Sequence, residues 1–194
     1  SNYAVPLNQW IYVAVTHDIS ITLGNTRLKM YINGVEIGYN TRSYNYNNNT
    51  SNSTRNLHLG VYDGSSLGFP GYISDLRIIQ NVDAANYAVP TSNVSSTGTN
   101  FLLSSLSKQF VDSSSNAYTS TLVGSPEISD WSPYTPELVR KGVHFRRPED
   151  YGGGSFYFDG RTGATYLKTG YTLDFNTSFT IQGWFFCNGV GNDA

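Results

Sequence analysis

The sequence predicts an all-β protein built as an antiparallel β-sandwich, and three observations support this. Apolar and β-branched residues fall in short runs, several of them alternating with polar residues, instead of recurring with helical spacing. The runs follow one another at intervals of roughly ten residues, with Gly, Asn, Asp and Pro between them. Aromatic residues make up 14% of the 194 residues and charged residues only 13%, a balance that favours strands and turns over helices.

In the first part of the chain, segment 10–16 is apolar or β-branched at nearly every position, which predicts a strand covered on both faces. Segment 28–32 alternates and runs into Asn33-Gly34, the strongest short signal for a hairpin with a type I′ turn. Segment 71–79 is a longer strand, in which Ile73 and Leu76 share a face only if a β-bulge shifts the register. The remaining predicted strands are 35–37, 57–59, 155–158, 165–167 and 179–186. A helical turn is predicted only at 83–87.

The predicted strands of the first part carry a family resemblance. The segments WIYVAVTHD (10–18), LKMYINGVEIG (28–38), LHLGVYDG (57–64) and GFPGYISDLRII (68–79) resemble, in order and spacing, the C-terminal half of a laminin-G-like domain. That family has the concanavalin-A-like jelly-roll fold. The segments FVDSSSNAYTSTLVGSP (110–126), FYFDGRTGATYLKTG (156–170) and FTIQGWFF (179–186) are similar to its N-terminal half.

The order of the two halves implies a domain organisation. Residues 1–88 would be the closing half of one sandwich, 89–98 a connector, and 99–194 the opening half of the next module, with an extended basic connector at 132–153. Two or three strands that the family has between its halves are missing at both ends. An isolated half would leave strand edges and apolar faces uncovered. We therefore expect either two complementary half-domains, each completed by flanking sequence or a neighbouring subunit, or one permuted sandwich.

The joins between the segments point to a setting. Residues 86–160 resemble the connections between tandem laminin-G-like modules in virion proteins of tailed phages, especially marine ones. The resemblance implies a non-enzymatic structural or adhesive module of a tail fibre, a tail-associated protein or a capsid-decorating protein, located in the virion and in contact with neighbouring copies. A secreted or cell-surface bacterial carbohydrate-binding adhesin, or the binding appendage of a glycosidase, remains the alternative.

Composition excludes some partners and leaves others open. A net charge of −2 gives no electrostatic reason to expect nucleic acid or an anionic membrane as a partner. No apolar run approaches the roughly 20 residues of a membrane helix. The single cysteine, Cys187, cannot form a disulfide within the chain.

Catalysis is not expected from these residues. The three histidines are His17, His58 and His144, and no serine lies in a nucleophile elbow. His17 is expected in a turn, and the acidic residues, Asp75 among them, are expected mostly in turns. They do not form the pair of facing carboxylates that glycoside hydrolysis needs.

No cofactor is expected, with calcium as the one option. Related sandwiches often hold Ca²⁺ among their rim loops through Asp and Asn oxygens. The candidate ligands are Asp63, Asp112 and Asp159. Each is equally compatible with a turn in which the carboxylate accepts hydrogen bonds from its own backbone.

Two polar segments are candidates for binding. The loop 39–50 is rich in Tyr and Asn and has no evident core to join, so its side chains could stack on a host glycan and hydrogen-bond to it; the candidates are Tyr39, Tyr44, Tyr46 and Asn47. A solvated hairpin loop is the simpler interpretation. Four basic residues form the second candidate, an assembly contact on an acidic neighbour: Arg140, Lys141, Arg146 and Arg147. Trp131 and Tyr134, just upstream, are expected to anchor this arm to a sandwich.

Overall fold

The computed structural model describes residues 4–20, 28–37, 56–62, 66–80, 88–107, 109–134, 153–161, 165–174 and 177–189. Nearly all the regular structure in these residues is β. The strands are β1 (Trp10–His17), β2 (Leu28–Ile32), β3 (Val35–Ile37), β4 (His58–Leu59), β5 (Val61–Tyr62), β6 (Ser66–Gly68), β7 (Pro70–Gln80), β8 (Phe101–Leu103), β9 (Ser120–Val123), β10 (Glu127–Ser129), β11 (Ser155–Asp159), β12 (Tyr166–Thr169) and β13 (Phe179–Cys187).

The predicted antiparallel β-sandwich is confirmed. The larger sheet has the order β10-β11-β7-β13-β1-β2-β3, with β8 also paired to β7, and the smaller sheet has the order β4-β12-β9. A separate ribbon pairs β5 with β6. Strand β13, from the second part of the chain, lies between β1 and β7 from the first. The two parts therefore complete each other within one sandwich; their assignment to successive modules stays a prediction.

The main hydrophobic core lies between the two sheets. Leu59 and Leu167 of the smaller sheet belong to the same buried cluster as Ile73 and Ile78 of β7. Phe156 and Phe158 of β11, with Phe101 and Leu103 of β8, complete the centre of that cluster. Burying each such side chain contributes about 1.5–3 kcal/mol relative to exposure. These contacts hold the two sheets together.

The central strands are also covered on their other face. In β1, Ile11 and Tyr12 point to opposite sides of the sheet, yet only 3% and 2% of their surfaces are exposed. Ala14 is completely buried. This confirms the prediction that segment 10–16 is a strand buried on both faces. We call the face that carries Tyr12 the outer face.

The bulge that the sequence required in β7 is present. The pairing of β7 with β13 shifts register between Gln182 and Trp184, opposite Asp75 and Leu76. Asp75 has a φ of 49°, in the left-handed region that non-glycine residues rarely adopt. Through this shift Ile73, Leu76 and Ile78 all reach the main core. The bulge also turns the Asp75 side chain into the protein, where it is 1% exposed.

For the remaining local features, the sequence predicted one turn correctly, missed several short elements and misplaced His17. The Asn33-Gly34 turn is confirmed, with φ of 49° and 81°, as a type I′ turn requires. The sequence analysis did not single out β8, β9 or β10, nor the 3-10 turn Ser105–Ser107. Its prediction of a helical turn at 83–87 lies outside the described residues. His17, expected in a turn, instead ends β1 and is 3% exposed, with its ring centre 5.0 Å from that of Phe179.

Candidate functional site

A buried carboxylate lies at the bulge of β7. Asp75, which the sequence analysis grouped with turn acids, is inside a strand. Its Oδ1 accepts hydrogen bonds from the Ser105 backbone N–H at 3.0 Å and the Ser105 hydroxyl at 2.8 Å. Its Oδ2 accepts from Asn93 Nδ2 at 3.2 Å and from the Tyr134 hydroxyl at 3.1 Å. Asp75 thus joins three separate chain segments to β7 of the larger sheet.

Tyr134 extends this network across the sheet. Its oxygen accepts a hydrogen bond from Trp184 Nε1 at 3.1 Å, while its proton is donated to Asp75. Burial is the main cause that raises the pKa of Tyr134 above its ordinary value, and the nearby negative charge of Asp75 adds to it. Tyr134 therefore remains a neutral donor across the physiological pH range. The chain Trp184–Tyr134–Asp75 links β13, the segment after β10, and β7.

A second polar contact lies beside the first on the outer face. The Gln182 amide is 2.7 Å from the Tyr12 hydroxyl, and its other end meets the Arg77 guanidinium. Because a guanidinium only donates hydrogen bonds, the amide oxygen faces Arg77 and the amide nitrogen faces Tyr12. This contact connects three adjacent strands, β1, β13 and β7.

Aromatic rings occupy the same face at the other end of these strands. Register places Trp10, Phe186, Tyr72 and Tyr157 in one row across β1, β13, β7 and β11. Their ring centres lie 4.9–6.0 Å apart between neighbours, with tilted or edge-to-face geometry. Phe186 is 4% exposed and the other three are half-buried.

Residues 131–134, which we call the strap, cross this face. The Trp131 ring centre is 4.4 Å from that of Phe186, 4.9 Å from Tyr72 and 5.2 Å from Trp10. At the other end of the strap, Tyr134 makes the hydrogen bonds described above. Trp131 and Tyr134 thus pack on the sandwich, as expected of anchoring residues, while the basic arm that they were predicted to anchor lies outside the described residues. The strap closes a second, smaller aromatic core on the outer face.

Asp112, a predicted calcium ligand, is 7% exposed and is surrounded by donors. Its Oδ1 accepts from the backbone N–H groups of Leu102 and Ser114, each at 2.9 Å. Its Oδ2 accepts from the Ser114 hydroxyl at 2.8 Å and the Tyr118 N–H at 2.9 Å. The carboxylate organises the loop between β8 and β9 and holds it against β8.

Asp159, the second described candidate ligand, closes the turn after β11. Its Oδ1 accepts hydrogen bonds from the Arg161 N–H at 3.1 Å and from the Thr165 hydroxyl. Its Oδ2 lies 3.7 Å from the largely exposed guanidinium of Arg161. These contacts are those of a turn-forming Asp.

Of the predicted site residues, the structure describes only Asp112 and Asp159, and it does not bring them into one site. Within the described ranges, no group of three or more His, Cys, Asp or Glu side chains is placed to hold a metal ion. Asp112 lies in the loop between β8 and β9, whereas Asp159 is the last residue of β11. Asp63, the four glycan candidates in loop 39–50 and the four basic residues at 140–147 lie outside the described residues. Their roles stay predictions.

The Asp75 network and the aromatic row were missed from the sequence. The bulge required in segment 71–79 was the available signal, since a bulge re-aims the neighbouring side chain. The second signal was the polar and aromatic content of alternate positions in β1 and β13. Tyr12, Gln182 and Trp184 all fall on the face opposite the apolar core positions.

Comparison with known proteins supports the fold. Residues 1–85 match the family model for laminin-G-type domains of the concanavalin A-like lectin/glucanases superfamily. Searches of curated proteins and of solved structures return no significant match. Together with the antiparallel sheets, the match shows a jelly-roll sandwich of the concanavalin A-like kind. Such a domain fits a carbohydrate-binding or adhesive module. In the described part of the chain no helix is long and apolar enough to cross a membrane.

Proposed function

We propose that this chain is a non-enzymatic binding module of a phage particle, which presents loops to a host glycan or to a partner subunit. The match of residues 1–85 to a family of lectins and glucanases is the observation that carries the proposal. The resemblance of the joins to those of tandem virion modules supports the setting. A secreted or surface-anchored bacterial adhesin is the alternative setting for the same binding chemistry.

The packing of the sandwich favours loops as the binding surface. The inner face of the larger sheet packs in the main core, and the strap and the aromatic row cover part of the outer face of the same sheet. Thr180 and Tyr12, both on the outer face, are 1% and 2% exposed. The loops at the sheet edges are therefore the better candidates for contact with a ligand.

The loop between β3 and β4 is our candidate ligand contact. It leaves the sheet after Ile37 at the edge strand β3 and returns at Leu57, which packs against the core and whose N–H donates to the Tyr171 carbonyl at 2.8 Å. Tyr39, Tyr44, Tyr46 and Asn47 belong to this loop. Tyrosine rings supply the apolar faces that stack on sugars, and the Asn amide supplies hydrogen bonds to hydroxyl groups.

A glycan array probed with the labelled chain tests this proposal. We expect binding to a defined set of glycans, with the Tyr44→Ala/Tyr46→Ala variant weakened at least about tenfold, as expected when aromatic contacts are truncated. The matched control is Tyr44→Phe/Tyr46→Phe, which keeps both rings and should retain most of the affinity. Equal binding by the unmodified chain and both variants would exclude the loop as the site. Absence of binding to any glycan on the array would refute a glycan ligand.

The virion setting has its own test. Antibodies raised against this chain should label purified phage particles, and peptides of the chain should be found in those particles by mass spectrometry. Detection on a bacterial surface and not in particles would support the adhesin.

A further inference from the structure

Residues 153–189 hold an unusual place in the sandwich, and we call them the donor segment. Each of its three strands lies between two strands from earlier in the chain: β11 between β10 and β7, β12 between β4 and β9, and β13 between β7 and β1. We call residues 4–134, which supply all those partners, the acceptor. We propose that the acceptor also binds the donor segment of a second copy of this chain, so that neighbouring copies exchange this segment.

The described strands of the donor segment depend on the acceptor for all their pairing. β11, β12 and β13 pair with acceptor strands and not with one another. Nothing in this pairing fixes which copy supplies the donor segment, because the same registers form within a chain or between chains. Without β13, the edges of β1 and β7 would face a gap one strand wide, roughly 10 Å across.

The donor segment carries much of the core. Its largest buried side chains are at most 4% exposed: Phe156, Phe158, Leu167, Tyr171, Phe179 and Phe186. Four of them belong to the main core together with Leu59 and Ile78 of the acceptor: Phe156, Phe158, Leu167 and Tyr171. An acceptor without a donor segment would expose this core, so a donor from any copy is strongly favoured over none.

The chain length between the two parts allows the exchange. Eighteen residues (135–152) connect Tyr134 of the strap to Gly153, a length that spans roughly 60 Å when extended at about 3.3 Å per residue. The nine residues of β13 extend about 30 Å. A short connection keeps the donor segment of the same chain at a local concentration of millimolar order, so the closed monomer dominates in dilute solution. Copies that are crowded or held side by side reach comparable local concentrations, and exchange then becomes competitive.

Engineered cysteines can tell which copy supplies β13. Val15 of β1 and Ile181 of β13 lie directly opposite each other, a position at which the Cα separation suits a disulfide. All chains carry Cys187→Ser, which removes the native thiol. The full chain with both Val15→Cys and Ile181→Cys checks the register, because it should form a disulfide within one molecule. The test is a mixture of two full chains, one with Val15→Cys and the other with Ile181→Cys, unfolded and refolded together at low and high concentration.

The control mixture pairs Ile181→Cys with Ile128→Cys. Ile128 is 45% exposed on β10, three strands away from β13 in the same sheet, so it can only report random cross-linking. We expect the test mixture to give a disulfide-linked heterodimer that increases with refolding concentration and exceeds the control by at least fivefold. Size-exclusion chromatography should show a folded dimer under the same conditions. If the two-cysteine chain closes within itself while the test mixture equals the control at every concentration, the proposal is overturned.

Discussion

Removal of the Tyr134 hydroxyl tests the buried network most sharply. Tyr134→Phe keeps the ring, which lies with its centre 6.2 Å from that of Trp184. It deletes the hydrogen bond donated to Asp75 at 3.1 Å and the one accepted from Trp184 Nε1 at 3.1 Å. Asp75 Oδ2 retains the Asn93 amide as a donor, whereas the Trp184 indole N–H loses the hydrogen bond that it donates to Tyr134.

The expected loss follows from these two contacts. A hydrogen bond to a charged group contributes about 1.5–3 kcal/mol, and a buried donor left without a partner costs about 1–3 kcal/mol. The two effects share one hydroxyl and do not add fully, so we expect the free energy of unfolding to fall by about 2–4 kcal/mol. For a domain of this size the midpoint of thermal unfolding should fall by roughly 5–12 °C.

Urea unfolding followed by tryptophan fluorescence measures this change, with Tyr157→Phe as the matched control. Tyr157 lies in the same aromatic row, and its hydroxyl makes no hydrogen bond to the described residues, so we expect a change within about 0.5 kcal/mol. A Tyr134→Phe change no larger than that of the control, at an unchanged m-value, would refute the proposed geometry of the strap and its network.

Three further predictions concern single residues. Asp112→Ala removes the acceptor for four donors and should lower the free energy of unfolding by about 3 kcal/mol. The loss should be the same in calcium chloride and in EDTA, and a difference between the two conditions above about 1 kcal/mol would instead indicate a metal site. Gly60→Ala should lower the midpoint of thermal unfolding more than Gly98→Ala does. Both glycines have a positive φ, but only at Gly60 would an added Cβ overlap another side chain, the ring of Phe158. Equal losses in the two variants would contradict the packing of Phe158 against Gly60. Burial is the main cause that raises the pKa of Tyr171 to about 12, so the folded state keeps a proton that the unfolded state loses near pH 10. Stability present below pH 10 should therefore fall by up to about 1.4 kcal/mol per pH unit between pH 10 and 12, and Tyr171→Phe should reduce this slope; an unchanged slope would contradict the burial of the hydroxyl.

Local patterns in the sequence predict this fold well where a local cause decides the structure. The Asn33-Gly34 turn follows from two residues that tolerate positive φ. The bulge in β7 follows from the spacing of Ile73 and Leu76. The β-sandwich itself follows from strand and turn spacing together with the family resemblance.

Long-range pairing decided what the sequence left open. The place of β13 depends on contacts with β1, about 170 positions away in the sequence, and with β7, about 100 positions away. Periodicity does not encode contacts at such separations. Asp75 is the clearest case, because its role comes from Asn93, Ser105 and Tyr134, all distant in sequence. The strands β8 and β10 have only three residues each, too few to show a period.

Cross-strand NOEs in the isotopically labelled full chain would test the central claim, that one sheet is built from both parts of the chain. The register predicts backbone contacts from β13 in two directions: Trp184 to Tyr12 of β1, and Gln182 to Arg77 of β7. Observation of both sets in a monomeric sample would establish β13 as the central strand of the larger sheet. Contacts to neither β1 nor β7 would contradict the fold described above, together with the site and the exchange inferred from it.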